Sequence, residues 1–155
     1  MHNLTAYLSP KAVRVGLQVS NKRALLQQLA LLAEQAFGLS SADVFESLNE
    51  REKLGSTGFG GGVAIPHGKI EGLNQVVAAC VTLKTPIDFS AVDDLPVDLV
   101  MLLLSPSDGG AQHLKALASV SRAMRDTRLV SNLRGATKNE ALYALFETQD
   151  IPHAA

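Results

Sequence analysis

The chain has 155 residues, 46% of them apolar and 19% charged, a balance that fits one globular domain and excludes a disordered chain. Its formal charge is −1 and its longest basic run is Lys22 followed by Arg23, which excludes nucleic acid as the main partner because phosphate-backbone binding needs clustered cations. Cys80 is the single cysteine, so an intrachain disulfide and a cysteine-rich zinc site are both excluded.

In chain order, residues 12–18 read as a strand. Ser20 suits the N-cap of a helix over residues 21–37, with Leu25, Leu29, Leu32 and Ala36 on one face and Gly38 as the stop. Ser40 or Ser41 starts a second helix, with Val44, Phe45 and Leu48 apolar, running to about Leu54. The run GSTGFGGG has five glycines in eight residues and is too flexible for a regular element. Residues 63–66 predict a short strand, and residues 76–83 and 97–104 predict strands buried on both faces. Pro86, Asp93, Asp94 and Pro96 make the stretch between those two a turn-rich connection.

Ser107 or Asp108 caps a helix over residues 109–126, with Leu114, Leu117, Ala118 and Met124 as its apolar face. Thr137 followed by Glu140 is a capping-box pattern for a last helix ending near Glu147. This order predicts one α/β domain over residues 1–155, a mixed β-sheet flanked by helices on both faces. The most apolar stretch is the eight residues 97–104, which include Asp98 and fall far short of the roughly 20 that a membrane span needs. The first residues lack the apolar core of a signal peptide, so a cytoplasmic protein without membrane insertion is expected.

Chemistry concentrates in residues 51–69, REKLGSTGFGGGVAIPHGK. Glycines let backbone pass close to another group, and successive N–H groups in such loops form anion-binding concavities. Pro66 biases Ile65 toward extended geometry, which presents His67 at a rigid strand end, and Gly68 leaves the imidazole approachable by a partner. At pH 7 roughly three quarters of an unperturbed imidazole is neutral, with a ring nitrogen free to attack phosphorus. Phosphoryl transfer then asks mainly for positioning and charge stabilisation. GSTGFGGG matches neither the P-loop nor a dinucleotide fingerprint, and no Ser or Cys nucleophile motif supports a hydrolase.

The string GSTGFGGGVAIPHGK resembles the active-site signature of the fructose/mannitol-type enzyme IIA domains of the bacterial phosphotransferase system. PIDFSAVDDLPVDLVMLLLSP and GAQHLKALASVSRAMRD sit where that family places its central strand and following helix. GSTG before IPHGK, in a free-standing chain of this length, is most similar to the nitrogen-regulatory branch, enzyme IIA-Ntr. The resemblance implies a mixed sheet flanked by helices and a phosphohistidine carrier without a cofactor. It implies that His67 accepts a phosphoryl group from HPr or NPr, and that the phosphoprotein regulates target proteins such as a transporter, a kinase or another enzyme. A second possibility is a sugar-specific IIA subunit that passes phosphate to a IIB domain during fructose- or mannitol-type uptake.

The resemblance also implies His113 as a second active-site histidine and Arg51 as a residue beside it. A guanidinium can grip a phosphoryl group through two parallel hydrogen bonds, and a neutral histidine near a helix N-terminus can hydrogen-bond a phosphoryl oxygen. Ser56 and Thr57 offer hydroxyls to His67 or to the phosphoryl group, and Lys69 a charge to an acidic partner. Two histidines without a third ligand at sensible spacing do not make a zinc site. Asp88, Asp93, Asp94 and Asp98 read as local hydrogen-bonding residues of a turn and strand start rather than as an acid–base pair. Phe59 and Ile70 are expected on an apolar docking rim, and His2 and His153, near the chain ends, are given no role.

Overall fold

The computed structural model describes residues 3–150, and His2 and His153 lie outside them. Two long apolar strands organise the molecule. β5 (Val77–Ile87) and β6 (Val97–Pro106) run antiparallel, and each alternates its side chains between two cores. Val100, Leu102 and Leu104 enter one core, while Leu99, Met101 and Leu103 enter the other. Strands apolar on both faces need helices on both sides, and the sequence supplies them. α1 (Lys22–Phe37) and α2 (Ser41–Lys53) cover the first face. α3 (Gly110–Met124), α4 (Thr127–Gly135) and α5 (Asn139–Asp150) cover the second. The expected mixed sheet between two helical layers is therefore what forms.

β1 (Leu8–Leu17) lies parallel to β5 at one edge of the sheet. It starts earlier than expected because Pro10, which cannot donate to a ladder, is tolerated on an edge strand. On the far side, β6 takes two short parallel strands end to end, β3 (Val63–Ala64) and β4 (His67–Ile70). Both keep the same register, Val63 opposite Leu99 and His67 opposite Leu103. The ladder breaks only at Ile65 and Pro66, where proline has no N–H to give. Even there the Pro66 carbonyl accepts from Leu103 N–H at 3.0 Å, and Ile65 N–H turns outward to the Thr57 carbonyl at 3.1 Å. β2 (Gly58–Gly60) completes the sheet antiparallel to β3.

Several expectations are corrected. The glycine run is not wholly irregular: part of it forms β2 and a tight hairpin into β3 through Gly61 and Gly62, with φ of +67° and +80°. Two successive positive φ values match the strand twist that two-residue hairpin turns require, which glycine supplies without strain. α1 is capped by Asn21 rather than Ser20, the Asn21 carboxamide oxygen accepting from Ala24 N–H at 2.8 Å. β5 runs on through Pro86 to Ile87 because its pairing with β6 is already irregular there.

The helix expected over residues 109–126 forms as α3, and a further helix that was not expected, α4, follows directly. Arg125 closes α3, and Asp126 caps α4, its carboxylate accepting from Arg128 and Leu129 N–H. Of the expected apolar face, Met124 is buried and Leu117 packs partly buried against the second core, but Leu114 is 67% exposed and Ala118 is exposed, and His113, Ala116, Val120 and Ala123 turn inward instead. Small residues let this helix lie close to β6. α5 begins at Asn139, one residue later than the capping-box pattern places it, and runs to Asp150.

Candidate functional site

His67 is the first residue after the Pro66 break, and its register opposite Leu103 turns its ring to the α3 side of the sheet. Its two ring nitrogens have different partners. Nδ1 lies 2.8 Å from the Ile65 carbonyl, and Nε2 lies 3.2 Å from Arg51 Nε. A carbonyl only accepts and a guanidinium only donates, so Nδ1 carries the proton and Nε2 bears the lone pair. The conformation that Pro66 imposes on Ile65 thus selects the tautomer. Burial pushes the His67 pKa below its ordinary value, the Arg51 charge pushes the same way, and the Ile65 hydrogen bond and Glu52 oppose them. These effects favour the neutral form of the ring.

Arg51 comes from the last turn of α2 and is fixed at its other end, Nη1 donating to the Gly55 carbonyl at 2.9 Å. His113 arrives from the first turns of α3, its ring centroid 5.5 Å from that of His67 at an interplanar angle of 44°. Its Nδ1 is hydrogen-bonded to the fully buried Ser105 hydroxyl at 2.7 Å. Burial lowers the His113 pKa first, with the His67 and Lys69 charges adding to the effect. Residues far apart in sequence thus meet at one place, with Arg51 on the Nε2 lone pair and the His113 ring beside it.

The glycine-rich run serves this cluster indirectly. Ser56 Oγ donates to the Phe89 carbonyl at 2.8 Å, and the Thr57 hydroxyl donates to Glu52. Both hydroxyls therefore brace the loop whose Gly55 carbonyl holds Arg51. Glu52 is not the solvated helix charge that its sequence neighbours suggest. Its side chain is 4% exposed and pairs with Lys22 Nζ at 2.8 Å and with Thr57 N–H at 3.0 Å. Nor does Gly61 N–H face an incoming anion, because Asp93 Oδ2 already accepts it at 2.9 Å. Asp88 and Asp93 take the local partners expected of them, Ser90 N–H and Leu95 N–H, while Asp93 also reaches Gly61 N–H and Asp98 instead pairs with the distant Arg134. Sequence reading missed Ser105, Glu52 and Lys22. A serine ending an apolar strand and an ion pair thirty positions apart carry no local signal.

Gly68 is buried beneath α2. A Cβ there would stand 2.2 Å from Ser47 Oγ, whose hydroxyl donates to the Lys69 carbonyl at 3.0 Å. Glycine at this position lets α2, and with it Arg51, approach the sheet. Gly68→Ala is expected to lower stability by about 1–3 kcal/mol through this overpacking, read as a fall in denaturant midpoint. Ser47→Gly in the same chain should restore part of the loss.

Of the expected apolar rim, Ile70 is buried at 6% exposure, and Phe59 packs half-buried against the second core. The exposed apolar side chains beside site residues are instead Leu54, three positions after Arg51, and Leu114, next to His113, at 84% and 67% exposure.

A pH dependence follows from the two lowered histidines. Unfolded, both rings titrate near about 6.5; folded, both take protons only at lower pH. The unfolded chain binds more protons in the window below about 6.5, so stability present above that pH is lost as pH falls through it. Denaturant midpoints at about pH 7.5 and about pH 5.5 should differ less in a His113→Gln variant than in the parent. An equal difference would show that His113 titrates normally.

Comparison with known proteins identifies the family. Residues 6–149 match the family model described as phosphoenolpyruvate-dependent sugar phosphotransferase system, EIIA 2. The nitrogen regulatory protein of Bradyrhizobium diazoefficiens is 44% identical over 142 residues, covering 92% of this chain and 93% of that protein. That of Escherichia coli K12 is 38% identical, covering 98% and 94%. The crystal structure of the nitrogen regulatory protein IIA-Ntr from Neisseria meningitidis superposes with a TM-score of 0.83 at 36% identity, covering 90% of this chain and 96% of that one. The mannitol IIA of Escherichia coli shares the fold, with a TM-score of 0.73 at 18% identity over 88% and 96% of the chains. Among the described residues no helix is long and apolar enough to cross a membrane. The chain belongs to the EIIA 2 family of the phosphoenolpyruvate-dependent sugar phosphotransferase system.

Proposed function

We propose that the chain is a phosphohistidine carrier in which His67 Nε2 accepts a phosphoryl group from a phosphohistidine on HPr or NPr. The observation that carries this reading is the tautomer: a lone pair on Nε2, fixed by the Ile65 carbonyl on Nδ1 and faced by Arg51. A bond forms from Nε2 to phosphorus as the donor's own N–P bond breaks, and the electron pair returns to the donor imidazole. The ring of His67 becomes cationic, and the Ile65 carbonyl on Nδ1–H stabilises that charge. Arg51 Nε–H releases Nε2 and turns to a phosphoryl oxygen, a charge-assisted contact stronger in the product than in the resting site. With Ser105 donating to His113 Nδ1, Nε2–H of His113 is the second phosphoryl donor. Catalysis by positioned donors of this kind suits a reaction with little covalent work for the protein.

Phosphorylation then acts as a regulatory signal in the cytoplasm. It adds roughly two negative charges beside Leu54 and Leu114, which disfavours an apolar partner and favours a cationic one. Regulation of target proteins is preferred over passage of phosphate to a IIB domain because the nitrogen regulatory relatives are 34–44% identical over nearly the whole chain. The Escherichia coli mannitol IIA, also solved in complex with phosphorylated IIB, is similar at only 16–18%. Incubation with a phosphorylated HPr-type donor should add one acid-labile phosphoryl group by intact mass, and two-dimensional NMR should place it on Nε2. Labelling on Nδ1, or none, would overturn the reading. Restoration of sugar phosphorylation in membranes lacking their own IIA would favour transport instead.

A further inference from the structure

The second half of the glycine run plays no part around His67. Gly60, Gly61 and Gly62 all have positive φ, and the first two wall a separate cavity of about 730 Å³ between the β2–β3 hairpin and the α3–α4 corner. This volume falls within the range of small-molecule sites, which are concave, mostly apolar and marked by a few polar groups. Met124, at the α3 end of the cavity, lies about 16 Å along the helix axis from His113, so the cavity is apart from the phosphoryl chemistry. Val63 and Val130 are buried in its floor, and Phe59 presents a half-buried ring at its side.

The charges around this cavity are not equivalent. Arg134 is committed: its guanidinium pairs with Asp98 at 2.9 Å and donates to the Gly61 carbonyl at 2.6 Å. A Cβ on Gly62 would stand 2.5 Å from that guanidinium, so glycine there makes room for the strut. The neighbouring carboxylates are also engaged. Asp93 accepts from Gly61 and Leu95, Asp98 from Arg134, and Asp126 from the first N–H groups of α4. Arg125, by contrast, sits exposed at the mouth with its guanidinium 5.8 Å from the Phe59 ring centroid, beside the exposed Ser131. The cavity thus pairs one aromatic face with one cation, Arg125, that is not held by the carboxylates around it.

We propose that this cavity binds a small amphipathic anion. Its flat apolar body lies against Phe59 over the valine floor, and its carboxylate or phosphate is held by Arg125 with help from Ser131. The site goes beyond the phosphocarrier reading and does not depend on it.

Titration of the full chain with anilinonaphthalene sulfonate should give a saturable, one-site rise in fluorescence. Amide NMR shifts should cluster in residues 59–62 and 124–131. Phenyl phosphate and phenylacetate should displace the probe where equal benzyl alcohol does not, and the more effective of the two identifies the headgroup. Arg125→Gln should weaken binding roughly tenfold. Ser131→Trp, an exposed change whose fold is checked by circular dichroism, should fill the mouth and abolish binding. Lys115→Gln, a surface cation elsewhere, should change nothing. The proposal is overturned by an unsaturable signal, by binding that both Arg125→Gln and Ser131→Trp leave intact, or by equal displacement with benzyl alcohol.

Discussion

A His67→Ala chain is expected to take up no phosphoryl group from a phosphorylated HPr-type donor, while keeping its circular dichroism spectrum. The two halves of this result have separate causes. Nε2 of His67 is the lone pair on which Arg51 converges, and His113, the neighbouring imidazole, has its Nδ1 engaged by a buried hydroxyl. Removing the ring leaves no equivalent acceptor. The fold survives because His67 meets β6 through its backbone and its ring is only half-buried. The Ile65 carbonyl loses one donor, worth about 1 kcal/mol. Arg51→Ala should behave differently. Phosphohistidine still forms, but roughly 10²–10³-fold more slowly, as for the loss of one preorganised donor to developing charge. Equal labelling of parent and His67→Ala by intact mass would put the acceptor elsewhere.

The second large effect is on stability. Leu102 sits fully buried at the centre of β6, between the β5 partner Ala79 and the α1–α2 layer. Leu102→Ala is expected to destabilise the chain by about 3–5 kcal/mol, the transfer of the lost methyl groups plus a cavity that flanking strands cannot close. For a chain of this size that corresponds to a melting temperature lower by very roughly 6–20 °C, read by calorimetry. Leu114→Ala, on the solvent side of α3, should shift it by no more than about 2 °C. A comparable fall in both would mean that α3 packs through the stripe the sequence pattern suggested.

The contrast between those two leucines shows where sequence reading works. Long apolar strands such as residues 97–104 are legible because burial on both faces leaves no polar position to confuse the period. Helix ends with a strong cap are legible too, as at Ser40 and Gly38. Part of the α3 face was misread because His113, Ala116 and Ser119 look less apolar than Leu114, which the helix exposes. α4 was missed because nine residues are too few for periodicity to stand out, although Asp126 before Leu129, Val130 and Leu133 was the available signal. At the site, a compact string marked His67, whereas Glu52, Lys22 and Ser105 act through contacts that only the folded chain creates. Ser56 and Thr57 turned out to brace the loop through Phe89 and Glu52.

Arg51 and His113 belong to opposite layers of the sandwich, one carried by α2 and the other by α3, and they meet only at the end of the strand between them. No partly open form that sheds either layer can keep the constellation together. Competence for labelling is therefore a report on the cooperativity of the whole molecule. Under rising denaturant it should vanish in step with global unfolding, with no surviving active fragment, and dissection at the α2–β2 boundary should yield two inert halves.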